Sequence, residues 1–250
     1  MQHKRKGTFF MASLNLVIPT CWQELTPKQL RYVYYLISEG YSPEVLKTHC
    51  LFRWSGMEVI APEGDGFSVR YQYNRYHLTA LQVTELLSRL DWLEQIPLVP
   101  LRLHRIHGKT AAPSDLQGVP FEQYIYCDNL YQGYLHTKNT DLLQEMAAVL
   151  YDSPTIKLLP EERISIFYWF ASVKALFARK FTHFFMSAPM SKSLDLERQI
   201  TETMNAQIRA LTKGDITKEN TVLKMDVWRA LTELDAQAAD REELKKQTLE

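Results

Sequence analysis

Residues 164–186 constrain the fold most strongly, because they contain neither glycine nor proline and are dense in aromatic side chains. Placed at 100° per residue, the stretch divides into three stripes along a helix. A helix of this length spans roughly 35 Å, which is enough to cross a small domain. The pattern therefore predicts a long core helix against which the rest of the chain packs.

The three stripes differ in side-chain size and polarity. The bulky stripe, predicted to be buried, contains Ile166, Phe170, Val173, Phe177, Phe181 and Phe184. The small stripe, which favours close packing within the chain over an oligomer interface, contains Ala171, Ala175, Ala178 and Thr182. The polar side contains Ser165, Ser172, Arg179 and His183.

A membrane span is the alternative for such an apolar stretch, since a span needs about 20 predominantly apolar residues. This one carries Lys174, Arg179, Lys180 and His183. Charged side chains are costly in the hydrocarbon core of a bilayer. We therefore predict that the helix is buried in a water-soluble bundle and that the protein has no membrane partner.

Composition supports a folded, mostly helical protein. The 250 residues are 46% hydrophobic and 12% aromatic, with only 9 glycines, which allows a large core and favours helices. Lysine plus arginine and aspartate plus glutamate both number 29, so the formal net charge is zero. That balance gives no global electrostatic reason to expect binding to nucleic acid.

The cysteines and the N-terminal residues indicate in which cellular compartment the protein is expected. Cys21, Cys50 and Cys127 are scattered without a Cys-x-x-Cys motif, which favours free thiols in a reducing compartment such as the cytoplasm. The first residues are basic and then apolar, but Asn15 interrupts the apolar run and no small-residue cleavage pattern follows. A signal peptide is therefore not predicted, and Met1 and Met11 both fit as the start.

The N-terminal region, residues 1–107, mixes strands and helices. Helix starts are indicated by Thr26-Pro27, Ser42-Pro43 and Thr79 followed by Gln82. Turn residues at 62–66 separate two β-prone runs and predict a hairpin. With strands at 14–18 and 98–106, the hairpin is predicted to form a small antiparallel sheet.

The remainder is predicted to be helical after a loop or hinge at residues 108–119. The expected helices are 120–136, 140–151, 161–187, 194–212 and 217–238, with a charged tail, 239–250, that frays. The predicted fold class is therefore α+β and predominantly α-helical. A small N-terminal antiparallel sheet with helices leads into a C-terminal helical bundle at 120–238.

One local basic cluster stands out, containing Arg102, His104, Arg105, His107 and Lys109. In an extended segment, Arg102 and His104 share one face, and Arg105 and His107 share the other. Two interpretations are open. The residues could contact a phosphate group or an acidic partner, or they could be the solvated residues of an edge strand. No cysteine or carboxylate stands at ligand spacing from His104 and His107, so no metal site is predicted.

A tyrosine-rich segment offers a candidate protein interface. Tyr124, Tyr126, Tyr131 and Tyr134 do not all lie on one side of a helix, so some must face solvent or a partner. Tyrosine is favoured at interfaces because it combines apolar area with a polar tip. By contrast, the G-x-S-x-G, P-loop and G-x-G-x-x-G motifs are absent, so the sequence indicates neither catalytic residues nor a cofactor.

Two motifs resemble those of small phage and prophage proteins. The first is Leu16-Val17-Ile18-Pro19-x-x-Trp22-x-x-Leu25-Thr26. The second runs from Leu211 to Glu219 (LTKGDITKE) and continues as Trp228-Arg229-Ala230-Leu231-Thr232-Glu233-Leu234. The second resembles proteins encoded in the tail-gene region, some of which act as tail assembly chaperones. Together they cover about a fifth of the chain.

This resemblance implies a non-enzymatic assembly factor or structural accessory in the host cytoplasm. Its partners are expected to be other phage structural or tail proteins, with self-association as a further expectation. The second hypothesis is a nucleic-acid-associated accessory protein that uses residues 102–109. The third is an enzyme of unrecognised type. The partner, the stoichiometry and presence in a finished particle are not identified by sequence.

Overall fold

The computed structural model describes residues 16–186 and 196–249. Its α-helices are α1 (Pro27–Ser38), α2 (Pro43–Ser55), α3 (Ala80–Ser88), α4 (Phe121–Thr137), α5 (Asp141–Leu150), α6 (Pro160–Lys180), α7 (Thr182–Met186), α8 (Leu196–Thr212), α9 (Glu219–Leu223) and α10 (Val227–Leu249). Short 3-10 helices lie at Trp22–Glu24, Asp91–Glu94 and Ile216–Lys218. The strands are β1 (Glu58–Glu63), β2 (Gly66–Tyr71), β3 (Asn74–Thr79), β4 (Arg105–Ile106) and β5 (Lys109–Thr110). The predicted fold class is confirmed.

The first helices begin at the capping residues that the sequence indicates. The Thr26 hydroxyl accepts from the Gln29 backbone N–H at 3.3 Å, and the Gln29 side chain accepts from the Thr26 N–H at 2.9 Å. Thr79 and Gln82 repeat this reciprocal pair at α3, and Ser42 caps α2. Such pairs satisfy amide groups that a helix start leaves without partners, and this fixes where each helix begins.

Trp22 joins the first described residues to the core. Its indole N–H donates to the carbonyl oxygens of Trp92 and Gln95, both at 3.0 Å. The ring lies edge-on to Trp92, with centroids 5.5 Å apart, and 5.8 Å from the ring of Tyr168 on α6. The side chain is buried with its polar atom satisfied, which holds the N-terminal segment against the central helix.

The predicted hairpin is confirmed. β1 and β2 pair antiparallel, and the turn between Glu63 and Gly66 consists of two residues, of which Gly64 has the positive φ (58°) that such turns require. β3 adds a third strand in the order β1-β2-β3. This strand was not predicted from the sequence. Its alternating pattern, with Tyr76 and Leu78 on one face, is short and runs directly into Thr79, which caps α3.

The other predicted strands do not join this sheet. Residues 16–18 have no strand structure, and residues 14 and 15 lie outside the described part of the chain. Of residues 98–106, only Arg105 and Ile106 form a strand, and they pair with β5 in a separate ribbon. Proline cannot donate a backbone hydrogen bond, so Pro97 and Pro100 disfavour a longer strand there.

The central position of α6 is confirmed, with α1 and α5 packed against it. Its bulky stripe is buried at Ile166, Phe170, Val173 and Phe177. Ser165 and Ser172, which the sequence places on a polar side, are buried as well. Their hydroxyls donate to the carbonyl oxygens of Glu162 and Tyr168, both at 2.7 Å. Because this bond satisfies the hydroxyl, each serine can pack among apolar groups.

The long helix predicted at 161–187 ends early, at Lys180. Phe181 leaves helical geometry (φ −117°, ψ 61°), and its buried ring packs edge-on against Phe177 and Trp228. α7 then follows a new direction along α10, and Ser187 lies outside the described residues. Within residues 16–186 and 196–249, no helix, α6 included, is both long and apolar enough to cross a membrane.

The helix predicted at 217–238 is divided into α9 and α10. Asp226 lies at the division, where one carboxylate oxygen accepts from the Arg229 N–H (3.1 Å) and caps α10. The other oxygen accepts from the Gly118 N–H (2.5 Å). The division therefore ties the start of α10 to the segment that precedes α4.

Two further features differ from the predictions. α10 continues through Leu249, whereas residues 239–250 were predicted to fray; Glu250 lies outside the described residues. The predicted hinge at 108–119 is packed, since Leu116 is fully buried. Its backbone carbonyls at Ser114 and Asp115 accept from the indoles of Trp169 and Trp228 at 2.6 and 2.8 Å. These contacts fix the segment between the N-terminal region and the bundle.

The buried cysteines allow a direct test of this core. Cys50 and Cys127 are fully buried, and burial raises the pKa of each thiol to about 12. Since the thiolate is the reactive form, we expect only the partly exposed Cys21 to react with Ellman's reagent at pH 8 in the folded protein. All three should react in urea, and a Cys21→Ser variant should show no fast reaction. Rapid reaction at Cys50 or Cys127 in the folded protein contradicts this packing.

Candidate functional site

The basic segment at residues 102–109 leads into a tight two-stranded ribbon. β4 and β5 pair through Arg105 with Thr110 and Ile106 with Lys109. His107 and Gly108 form the turn, with φ of 48° and 79°. Because this left-handed backbone favours glycine, Gly108 allows a two-residue turn here.

The basic side chains have different surroundings. The Arg102 guanidinium lies over the ring of Trp169, 6.0 Å from its centroid, while His104 and Arg105 are exposed. His107 and Lys109 line a cleft beside the ribbon. The predicted extended face that pairs Arg102 with His104 is therefore not formed, because Arg102 packs inward on an aromatic ring.

A buried carboxylate holds His107 in place. Glu162, at the start of α6, is 2% exposed and accepts from Arg31 Nη1 of α1 at 2.6 Å. Its second oxygen lies 3.1 Å from His107 Nε2 and accepts from the Leu159 backbone N–H at 2.9 Å. The network thus connects α1, the ribbon turn and the start of α6 through one side chain.

The cleft itself has a volume of about 270 Å³. It is lined by His107, Lys109, Ser153, Thr155, Ile156 and Lys157. The second wall is the connection between α5 and α6, where the Gln144 side chain donates to the Ile156 carbonyl and accepts from the Leu158 N–H. This wall was not predicted from sequence, since it lies more than 40 residues from the ribbon and carries no motif.

Removal of the Glu162 charge is expected to destabilise this network. For Glu162→Gln we expect the free energy of unfolding to fall by about 2 kcal/mol. This loss is smaller than the usual cost of breaking a buried ion pair, because the Arg31 side chain is 38% exposed and water screens its charge. Urea unfolding followed by circular dichroism measures the change. The neighbouring Glu161→Gln should cost less than about 0.5 kcal/mol. Equal costs for the two variants contradict a special role for Glu162.

The sequence predicts no metal site at His104 and His107. Among the residues that the structure describes, no group of three or more histidine, cysteine, aspartate or glutamate side chains could hold a metal ion. His104 is exposed, and His107 binds Glu162. These two histidines therefore have separate surroundings.

The tyrosine segment divides between core and surface. Tyr124 and Tyr131 are buried and pack against the ring of Phe170, with centroids 6.0 and 5.3 Å apart. Tyr126 is exposed and Tyr134 is half-buried. The predicted interface is therefore narrowed to Tyr126 and Tyr134, because burial against α6 removes the other two from the surface.

An exposed apolar patch lies on the N-terminal sheet, which sequence reasoning did not single out. We call Val59, Ile60 and Phe67 the edge-strand patch; their exposed fractions are 49%, 40% and 38%. β1 pairs with β2 on one side only, and the register shifts between Val59 and Ala61, where Ile60 has no partner. The outer backbone edge of β1 is unpaired within the described residues.

Comparison with protein-family models, with curated proteins and with solved structures gives no match.

Proposed function

We propose that the chain is a non-enzymatic assembly factor of a phage or prophage, in the manner of a tail assembly chaperone. In this proposal it binds another phage protein along β1. The observation that carries the proposal is the open edge of β1 beside the edge-strand patch. Natural proteins usually protect such edges with bulges, prolines or charged residues, and β1 has a bulge at Ile60 and a proline at position 62. Val59 and Ile60 nevertheless stay exposed beside the free edge, and exposed apolar side chains there favour a binding surface.

The chemistry of β1 indicates what kind of segment fits. The free backbone N–H and C=O groups of an edge strand pair with an extended segment of a second chain. Val59 and Phe67 lie on the same sheet face, since Val59 pairs with Val69 and Phe67 is two residues before Val69. Val69 and Leu78 pack this face into the core, and a partner strand with apolar residues at alternate positions can extend the sheet beside β1 and bury the exposed part of Val59.

The nucleic-acid hypothesis has less support from the geometry. Its basic residues do not form one stripe, because Arg102 packs on Trp169 and His107 binds Glu162. The zero net charge also provides no general attraction to phosphate backbones. If the chain nevertheless binds DNA or RNA, the affinity should fall steeply with added salt.

Co-purification tests the proposal. The proposal expects genes for tail-tube and tape-measure proteins beside the gene for this chain; the tagged chain is co-expressed with those proteins, and the captured protein is quantified. We expect capture by the natural chain and at least about tenfold less by Val59→Lys, because a lysine cannot be buried beside a docked strand without cost. Val45→Lys is the matched control, since Val45 is 40% exposed on α2.

Several results contradict the proposal. One is a monomer that captures neither tail protein. Another is equal capture by Val59→Lys and Val45→Lys, which places the contact elsewhere. Light scattering on the purified chain identifies self-association, and a dimer that Val59→Lys dissociates shows that a second copy occupies β1 in place of a tail protein.

A further inference from the structure

The cleft between the ribbon turn and the α5–α6 connection contains cations without acidic partners. Lys109 projects from the ribbon and Lys157 from the opposite wall, and both line the cleft. Neither forms an ion pair within the described residues, although other lysines such as Lys47 and Lys174 do. Two lysines at one cleft raise the local positive potential, which attracts an anion.

Ser153 adds an independent observation. It is 4% exposed and lines the same cleft, yet its hydroxyl has no hydrogen-bond partner within the described residues. Among the described residues, the polar side-chain atoms that are fully enclosed and lack a partner do not include this hydroxyl, so it opens into the cleft and is free to bond to a ligand there. The hydroxyl of Thr155 lines the cleft beside it.

The walls of the cleft are held by hydrogen bonds that do not involve these donors. His107 is bound to Glu162, and the Tyr151 hydroxyl donates to the Leu103 carbonyl at 2.5 Å. The Ala112 backbone N–H donates to the Leu150 carbonyl at 2.7 Å. The backbone segments that carry the donors are therefore in place before any ligand arrives, which lowers the entropic cost of binding.

From this geometry we infer that the cleft binds the phosphoryl group of a small molecule. The charge of a phosphate monoester, about −1.5 to −2 at pH 7, attracts two ammonium groups more strongly than the single charge of a carboxylate, and its three terminal oxygens can accept from both lysines and both hydroxyls. The volume of about 270 Å³ lies just below the range of about 300–1,000 Å³ that is usual for drug-sized ligands, so the cleft suits only a small phosphate compound. The inference uses a different surface from β1 and does not depend on the proposed function.

Calorimetric titration with inorganic phosphate at constant ionic strength tests the site. We expect saturable binding to the natural chain, and binding at least about tenfold weaker for both Lys109→Gln and Lys157→Gln, because each removes a charge-assisted hydrogen bond. Lys245→Gln, an exposed lysine on α10, should bind phosphate as the natural chain does. Circular dichroism confirms that the variants are folded.

Acetate at the same ionic strength should not compete with phosphate. Ser153→Ala should weaken phosphate binding and leave the fold unchanged. Three results overturn the inference: no saturable binding to the natural chain, an equal effect of Lys245→Gln, or an affinity for acetate that matches that for phosphate. The last identifies a general anion site and not a phosphoryl site.

Discussion

Replacement of Phe177 by alanine is expected to lower the free energy of unfolding by about 4 kcal/mol, the largest effect that we predict. The side chain is fully buried on α6. Its ring packs edge-on against Tyr124 of α4 and against Phe181 and Trp228, with centroids 5.4, 5.8 and 5.4 Å apart. The substitution removes apolar burial and leaves a cavity at a point where several elements meet.

Urea unfolding measures this loss. Tyr73→Ala is the control, since Tyr73 is fully exposed at the turn between β2 and β3 and should change stability by less than about 0.5 kcal/mol. A cost of less than about 1 kcal/mol for Phe177→Ala shows that α6 is not the centre of the core.

The second large effect is expected from the ion pair between α4 and α6. Lys174 Nζ lies 2.8 Å from Asp128 Oδ1, and both side chains are 22% exposed. Burial alone lowers the pKa of Lys174, but Tyr124 and Asp128 outweigh it and raise the pKa above its ordinary value of 10.5. The ammonium therefore stays charged, and it also lies over the ring of Phe185, 5.4 Å from its centroid.

For Asp128→Ala we expect a loss of about 3 kcal/mol, because the substitution leaves a largely buried ammonium without its carboxylate. Lys174→Met in the same background should recover part of that loss, since the double variant contains no unpaired charge. Asp240→Ala, exposed on α10, is the control. Additive losses in the double variant contradict a coupled pair.

The sequence predicts those features that depend on local chemistry. Thr26 with Gln29 and Thr79 with Gln82 indicate helix starts because the capping bonds form between residues three apart. The burial of Phe170 and Phe177 follows from the 3.6-residue period. Ser172 was misplaced because its hydroxyl bonds within its own helix, which a polarity pattern does not show.

Features that depend on contacts distant in the chain were not predicted. Asp226 caps α10 through the local bond to Arg229, but no local signal indicates that its other carboxylate oxygen binds Gly118. The basic segment drew attention to His107 and Lys109, but Lys157 and Ser153 reach the cleft only through the fold. Glutamate is common in the first turn of a helix, so the sequence does not indicate that Glu162 binds Arg31 and His107.

Each of the two motifs on which the phage resemblance rests contains a tryptophan that packs in the core. Trp22 is buried against Trp92 and Tyr168, and the Trp228 indole donates to the Asp115 carbonyl. Both tryptophans make core contacts, so the residues that carry the resemblance stabilise the fold and do not form a binding surface. The proposed binding surface at β1 lies outside both motifs, which makes its test independent of them.

Hydrogen exchange in β1 tests the proposed function most directly. The free chain is compared with the complex that the proposed binding of a tail-tube or tape-measure protein is expected to form. Binding by strand addition predicts that the outward-facing amides of Glu58–Glu63 exchange quickly in the free chain and slowly in the complex. A stable complex in which these amides exchange at the same rate as in the free chain contradicts strand addition at β1.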